Sequence, residues 1–196
     1  VYWVDGSYIG GNAGFSAAAV VWRDGEILCT ATYKLGQHTG NSEDAEVYAI
    51  AAALRRAKRE IENGNNLRLV RIYSDSLSSL KGLKNGTLHT LGPLIARRTV
   101  LQAIHERTAW LTNNGARVEL IWVKGHAASE GNKAADQTAT RATSKQDKPP
   151  IGQLLTHEHV PKAFKDLGQD WADEWLWRAN QKSMNKTHMP SAEEKN

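Results

Sequence analysis

The sequence predicts a layered α/β domain, and three observations carry that prediction. Apolar runs of strand length recur through the first 142 residues. Between them lie segments whose apolar residues return every three or four positions, the helical period. A polar stretch, "TSKQDKPP" at 143–150, then breaks the pattern with Pro149-Pro150 and reads as a linker. Read in order, the elements are βββαβααβα, an alternation that layers helices against a sheet.

The first element is Val1–Val4, continuously apolar and suited to a central strand that ends at Asp5-Gly6. "FSAAAVVW" and "EILCTATY" follow, separated by Arg23-Asp24-Gly25, and Asp-Gly between two such runs signals a hairpin. Gly10-Gly11 suits a tight hairpin rather than a phosphate loop, because a strand-like run follows it instead of a helix. "NSEDAEVYAIAAALRRAKREIE" reads as a long helix. Asn41 or Ser42 can cap it, Glu43 and Asp44 suit the positive end of its dipole, and Asn63-Gly64 ends it. Its apolar stripe is Ala49/Ile50, Ala53/Leu54, Ala57 and Ile61, and Glu46 continues that inward stripe. The bases of Arg55–Arg59 take the other side, as a solvated face.

"LRLVRIYSD" is a fourth strand, and "SLSSLKGLK" a short helix stopped at Asn85-Gly86. After Pro93 a further helix places Leu94, Leu101, Ile104, Thr108 and Leu111 near one face. "RVELIWV" is a fifth strand, expected to deliver Trp122 and Val123 into the core, and residues 130–142 form a last helix. Beyond the linker, Phe164, Leu167, Trp171 and Trp175 recur at helical spacing. Residues 151–178 are therefore expected to form a helical extension whose aromatic stripe packs on the domain, and 179–196 a disordered tail.

Composition bounds the chemistry. One cysteine, Cys29, excludes an internal disulfide framework and a cysteine zinc site, and suits a reducing, intracellular compartment. No apolar run is long enough to cross a membrane as a helix, and no signal-peptide pattern opens the chain. The first residue is Val1 rather than methionine, so excision from a longer polypeptide is expected. Residues 1–142 hold 17 Lys/Arg against 13 Asp/Glu, while 143–196 hold 8 against 8. The basic excess sits on the domain and permits a polyanionic partner. "THEHV" lacks the spacing of a helical zinc motif, so His157 and His159 read as surface residues.

Four acids occupy unusual places: Asp5 and Asp75 at strand ends, Glu46 inward near a helix start, and Asp136 after Ala134-Ala135 in the last helix. Any one has an ordinary structural explanation; Asp75, for instance, could cap the helix at 76–84. Together they sit where strand ends and helix starts converge at one edge of an α/β domain. Clustered carboxylates need a counterion, and an oxygen-only donor set suits Mg²⁺ or Mn²⁺ rather than zinc. Two such ions can clamp an in-line phosphoryl displacement.

The residues "VDGS", "AEVYAI", "YSDS" and "WVKGHAASEGNKAAD", in this order and between these elements, resemble ribonuclease H of type 1 over residues 1 to about 142. The resemblance implies the RNase H fold, a five-stranded mixed sheet in order 3-2-1-4-5 with helices on both faces. It places the family's metal-binding acids on Asp5, Glu46, Asp75 and Asp136, with two Mg²⁺ ions (Mn²⁺ as a substitute). It places the family's turn histidine, which assists proton transfer or product release, on His126. It implies cleavage of the RNA strand of an RNA/DNA hybrid, leaving 3′-hydroxyl and 5′-phosphate ends. Substrate contacts then fall to Asn41, Ser42, Lys124 and Asn132.

Two departures from the family pattern bear on the partner. The basic loop common in cellular members is matched by "KNGTLHTLGPLIARRTV", with only Arg97 and Arg98 as a basic pair. Ser42-Glu43 stands where Asn-Asn or Asn-Gln is common. Hybrid affinity is thus expected to be weak, or supplied by a covalently linked partner such as a reverse transcriptase. The "YSDS" form is similar to RNase H domains of retroelement polyproteins. The alternatives are a non-catalytic module of the same fold, whose mark would be a missing acid, and a transposase or exonuclease of that fold, which would lack the "KGH…GN…AD" run.

Overall fold

The computed structural model describes residues 1–10, 15–37, 41–86, 94–125 and 129–145. The elements are β1 (Tyr2–Ile9), β2 (Phe15–Asp24), β3 (Ile27–Gln37), α1 (Ser42–Glu62), β4 (Leu69–Ser74), α2 (Leu77–Asn85), α3 (Leu94–Asn113), β5 (Arg117–Trp122) and α4 (Glu130–Ser144). The predicted order βββαβααβα stands, and the sheet order is β3-β2-β1-β4-β5. β1 runs antiparallel to β2 and parallel to β4, and β4 runs parallel to β5, so the sheet is mixed. His126, Gly11, His157, His159 and the expected linker, extension and tail from 146 onward lie outside the described residues. Helix α4 continues through Thr143 and Ser144, the first two residues of the stretch read as linker.

β1 does not end at Asp5-Gly6. It continues to Ile9, paired throughout with β2 from Tyr2↔Trp22 to Ile9↔Phe15, so Asp5 lies in mid-strand. Gly6 read as a strand breaker, yet its role is clearance. A Cβ there would stand 2.3 Å from the Glu46 amide nitrogen and 2.5 Å from the Ala45 carbonyl carbon. Only a bare backbone lets α1 lie this close to the sheet. The β2–β3 hairpin closes through Gly25-Glu26, with Gly25 at φ 58°.

Successive residues of a strand face opposite sides. Gly6 faces α1, whereas Trp3 faces the first turn of α4, where a Cβ on Gly131 would overlap the Trp3 ring. The sheet is therefore covered on both faces. α1 buries Ala45 through Leu54 and Ala57, more than the narrow stripe predicted, because it packs on β1 and β2 below and α3 beside it. From α3, Ile104 and Leu111 are buried, and Leu101 and Thr108 half-buried. On the other face, α4 presents Gly131, Ala135, Ala139 and Ala142, one small residue per turn. Ala134 is only half-buried, so Ala135 rather than the Ala134-Ala135 pair provides the close approach.

The bases of α1 lie on aromatic rings. The Arg55 guanidinium carbon is 5.6 Å from the centre of the Tyr33 ring, Arg56 3.4 Å from Trp22, and the Lys58 ammonium 5.0 Å from Trp110. Arg56 and Lys58 also pair with Glu60 and Glu62, one turn on. These contacts tie the run to its own domain, as expected of a solvated helix face whose stems cover apolar surface. One expectation fails at the other edge. Trp122 is 48% exposed, because β5 is the last strand of the sheet and its α3-side face is only partly covered. No helix of the described residues is long and apolar enough to cross a membrane. Cys29 is a free, half-buried thiol.

Candidate metal centre

Two parallel strands deliver the first pair of carboxylates. Trp3 of β1 is level with Tyr73 of β4. Two residues further on are Asp5, still within β1, and Asp75, immediately past the end of β4, so both acids arrive beside each other at one end of the paired strands. Glu46 comes from α1, drawn in by the clearance at Gly6. One oxygen of each of Asp5, Glu46 and Asp75 lies within 4.8 Å of the others. Asp5 is 7% exposed, Glu46 6%, and Asp75 half-buried.

Asp75 does not cap α2. Ser76 takes that position, its hydroxyl accepting from the Ser79 amide, which removes the structural explanation for Asp75. Gly125 lies in the turn after β5, and there is a steric reason for glycine there as well. Its φ is outside the left-handed region, and a Cβ would stand 3.2 Å from Asp75 Oδ2. The chain after β5 thus passes directly over the carboxylate. Trp122 Nε1 donates to the Asp75 carbonyl at 3.2 Å, and the Val123 amide donates to the Ser74 carbonyl at 3.0 Å, holding the two strand ends together.

The charges are unbalanced. Burial, and then the charges of Asp75 and Asp136, push the Asp5 carboxyl up to about 7. Burial and Asp5 likewise hold Glu46 well above the usual carboxylate range, against the opposing pull of hydrogen bonds from the Gly6 backbone and the Ser74 hydroxyl. Glu46 Oε2 is buried without a hydrogen-bond partner among the described residues. A buried, unpartnered carboxylate oxygen in a cluster of acids is the environment a bound cation relieves. The all-oxygen donor set fits a hard divalent ion, so Asp5, Glu46 and Asp75 can hold a metal together.

The other predicted site residues fall in different places. Asp136, half-buried in the second turn of α4, is close enough for its charge to reach Asp5, but it is not part of the three-carboxylate group. Asn41 is the α1 N-cap: its Oδ1 accepts from the Asp44 amide at 3.1 Å, and Asp44 Oδ2 accepts from the Asn41 amide at 2.8 Å. Ser42 and Lys124 are exposed. Asn132, expected to touch substrate, is instead 2% exposed, its amide donating to the capping Ser129 hydroxyl and its Oδ1 buried. The tight fit of the Gly131 turn on Trp3 carries Asn132 inward with it.

Ser74 was not singled out by sequence, although a signal existed. On β4 it shares the inward parity of Val70 and Ile72 and is fully buried, a hydroxyl on an apolar stripe. It serves Glu46 on one side and accepts from the Ser76 amide at 3.1 Å on the other. Ser74→Ala is expected to destabilise the protein by about 1–2 kcal/mol, since a buried charged acceptor loses its donor. Because supporting groups of this kind tune metal ligands, Mn²⁺ affinity should fall roughly tenfold. Thermal melts and calorimetric Mn²⁺ titration read the two effects; unchanged affinity would deny Ser74 a part in the site.

With this geometry in hand, comparison with known proteins is specific. The family model for RNase H matches residues 1–144. No curated protein matches the chain. Among solved structures, the chain is similar to RNase H1 from the halophilic archaeon Halobacterium salinarum NRC-1, at 20% identity and a TM-score of 0.51, over 74% of this chain and 97% of that one. It is similar to LC11-RNase H1 in complex with an RNA/DNA hybrid, at 18% identity and a TM-score of 0.53, over 74% and 96%. It is also similar to the foamy viral protease-reverse transcriptase in complex with an RNA/DNA hybrid, at 21% identity and a TM-score of 0.54, over 74% of this chain and 20% of that one. At these identities the likeness is one of fold.

Proposed function

The chain belongs to the RNase H family and is a ribonuclease H enzyme, and from that premise we propose that it cleaves the RNA strand of RNA/DNA hybrids, leaving 3′-hydroxyl and 5′-phosphate ends. The observation that carries this reading is the cluster of Asp5, Glu46 and Asp75, whose oxygens converge within 4.8 Å in a site with an unpartnered buried carboxylate oxygen. Two Mg²⁺ ions, replaceable by Mn²⁺, are the proposed cofactors. Asp5, Glu46 and Asp75 would hold one, and Asp136, whose charge reaches Asp5, would help hold the second. When bound, such ions activate a water and neutralise charge at the departing oxygen.

The chain's own residues prepare that chemistry. Burial keeps the Asp5 and Glu46 carboxylates out of water, so their interaction with a phosphoryl-bound cation is strong. Gly125 leaves room beside Asp75 for a ligand shell. Lys124, exposed beside the cluster, contacts a phosphate, and exposed Ser42 and Asn41 at the start of α1 meet the hybrid backbone. His126 handles the proton or the product.

Hybrid-bound relatives of the same fold support the substrate, and a reverse transcriptase among them supports a retroelement polyprotein origin with a covalently linked partner. Matched RNA/DNA, RNA/RNA and DNA/DNA duplexes incubated with Mg²⁺, beside the Asp75→Asn variant, test the reading. Cleavage should appear only on the hybrid's RNA strand and vanish with EDTA or Asp75→Asn. Tight hybrid binding without turnover would leave a binding module, and cleavage of DNA duplex would indicate another nuclease.

A further inference from the structure

Between α2, α3 and β5 lies an open apolar groove of about 790 Å³. Leu77, Leu80, Ile104, Leu120 and Trp122 line it. Three of these are unusually exposed for their size: Leu77 at 41%, Leu120 at 38% and Trp122 at 48%. The volume lies within the ~300–1,000 Å³ typical of sites that bury a bound group. Contiguous apolar surface of this kind marks a place where something docks. Its rim is basic, with Lys81 and Lys84 from α2 and His105 from α3.

We propose that the groove is the seat of this chain's own segment 164–175. That segment is its complement in two respects. Phe164, Leu167, Trp171 and Trp175 follow one another at spacings of three, four and four, which gathers them on one side of a helix. Within 164–175 there are four acids, Asp166, Asp170, Asp173 and Glu174, against a single base, Lys165. An acidic, aromatic segment thus meets a basic-rimmed, apolar groove, which sets its orientation as well as its attraction.

The connection is long enough. The described chain ends at Lys145, whose carbonyl accepts from Lys34 Nζ at 3.0 Å near the β3 edge, across the sheet from the groove. Residues 146–163 can span roughly 60 Å when extended, whereas a domain of this size has a radius of gyration of roughly 15 Å. The segment therefore reaches around the sheet edge to β5 without strain. It also lacks a free alternative on α4, whose small-residue face is already spent against β1 and β2. The inference rests on the fold and stands apart from the proposed activity.

Photo-cross-linking in the full chain tests it. With Trp171→p-benzoylphenylalanine, the adduct should map to residues 77–84, 101–108 or 120–122 within the same chain, at a yield independent of protein concentration. Adducts confined to other surfaces, or formed only between two chains, would overturn the proposal, the latter pointing to a second copy as the occupant. Independently, amides of α2 and β5 in the Trp171→Ala/Trp175→Ala variant should exchange about tenfold faster or more, as a packed cover is lost. Unchanged exchange there would equally reject it.

Discussion

Asp5→Asn is expected to abolish RNA-strand cleavage while raising the melting temperature of the metal-free protein. Activity falls because a metal-binding carboxylate is lost; an interaction worth several kcal/mol in the transition state corresponds to about a thousandfold or more in rate. Stability rises because the native site holds the Asp5 carboxyl at about 7, against 3.8 for an ordinary aspartate. Between those two values the folded protein binds a proton that the unfolded chain has released. By linkage, stability contributed by this group is full below the lower value and is lost as pH rises through the upper one. At pH 8 the penalty is complete, and an uncharged Asn removes it. The full shift corresponds to roughly 4 kcal/mol, and because part of it comes from neighbouring acids whose own ionisation readjusts, the gain is on the order of 2–4 kcal/mol, or roughly 4–16 °C for a chain of this size. Scanning calorimetry at pH 5 and pH 8, with EDTA or with Mg²⁺, reads the prediction. The wild-type protein should be stabilised by Mg²⁺ more at pH 8 than at pH 5, where protons compete for the carboxylates, and Asp5→Asn should lose most of that stabilisation. A wild-type melting temperature indifferent to both pH and Mg²⁺ would contradict a carboxylate metal site here.

Gly6→Ala should be strongly damaging for a change of a single methyl group. The added carbon would meet backbone atoms, the Glu46 nitrogen at 2.3 Å and the Ala45 carbonyl carbon at 2.5 Å, which cannot rotate away as a side chain can. Helix α1 must then lift from β1, opening the buried layer that its alanines make with the sheet. Overpacking of this kind costs about 3 kcal/mol or more, equivalent to a melting temperature lower by roughly 10 °C. Glu46 moves with the helix, so metal affinity should fall even in whatever fraction remains folded. Mn²⁺ titration below the melting transition separates that loss from unfolding. Gly25→Ala is the control: nothing lies within 4 Å of its added carbon, and only the positive φ is strained. It should cost about 1 kcal/mol and leave metal binding unchanged.

Both substitutions turn on distances between elements far apart in the chain, and that is where reading the sequence reached its limit. Helix α1 was legible almost to its last residue, because its cap, period and terminator are local signals: Asn41 caps it and Asn63-Gly64 ends it. The acids were legible because charge on an apolar stripe stands out, as Glu46 does between Ala45 and Val47. Gly6 was misread as the end of its strand, since glycine in a strand context carries the same letter whether it stops the pairing or permits a close approach. Ser74 passed unnoticed because serine at a strand end is an ordinary residue until its parity with Val70 and Ile72 is known. Trp122 was placed in the core on hydrophobicity, which says nothing about whether its strand lies at the centre of the sheet or at its edge.

By itself, then, the sequence determined the order and kind of elements, the RNase H resemblance and the identity of the acids, because periodicity, capping and composition act over a few residues. Only the tertiary structure decided that Asp5, Glu46 and Asp75 share one site while Asp136 stands beside it, that Asn132 is buried, and that α2, α3 and β5 leave a groove open among the described residues. Those outcomes depend on strand register and on helix-to-sheet clearances of a few ångströms. They are set by contacts such as Gly6 against Glu46 and Gly131 against Trp3, between residues separated by about 40 and 130 positions in the chain.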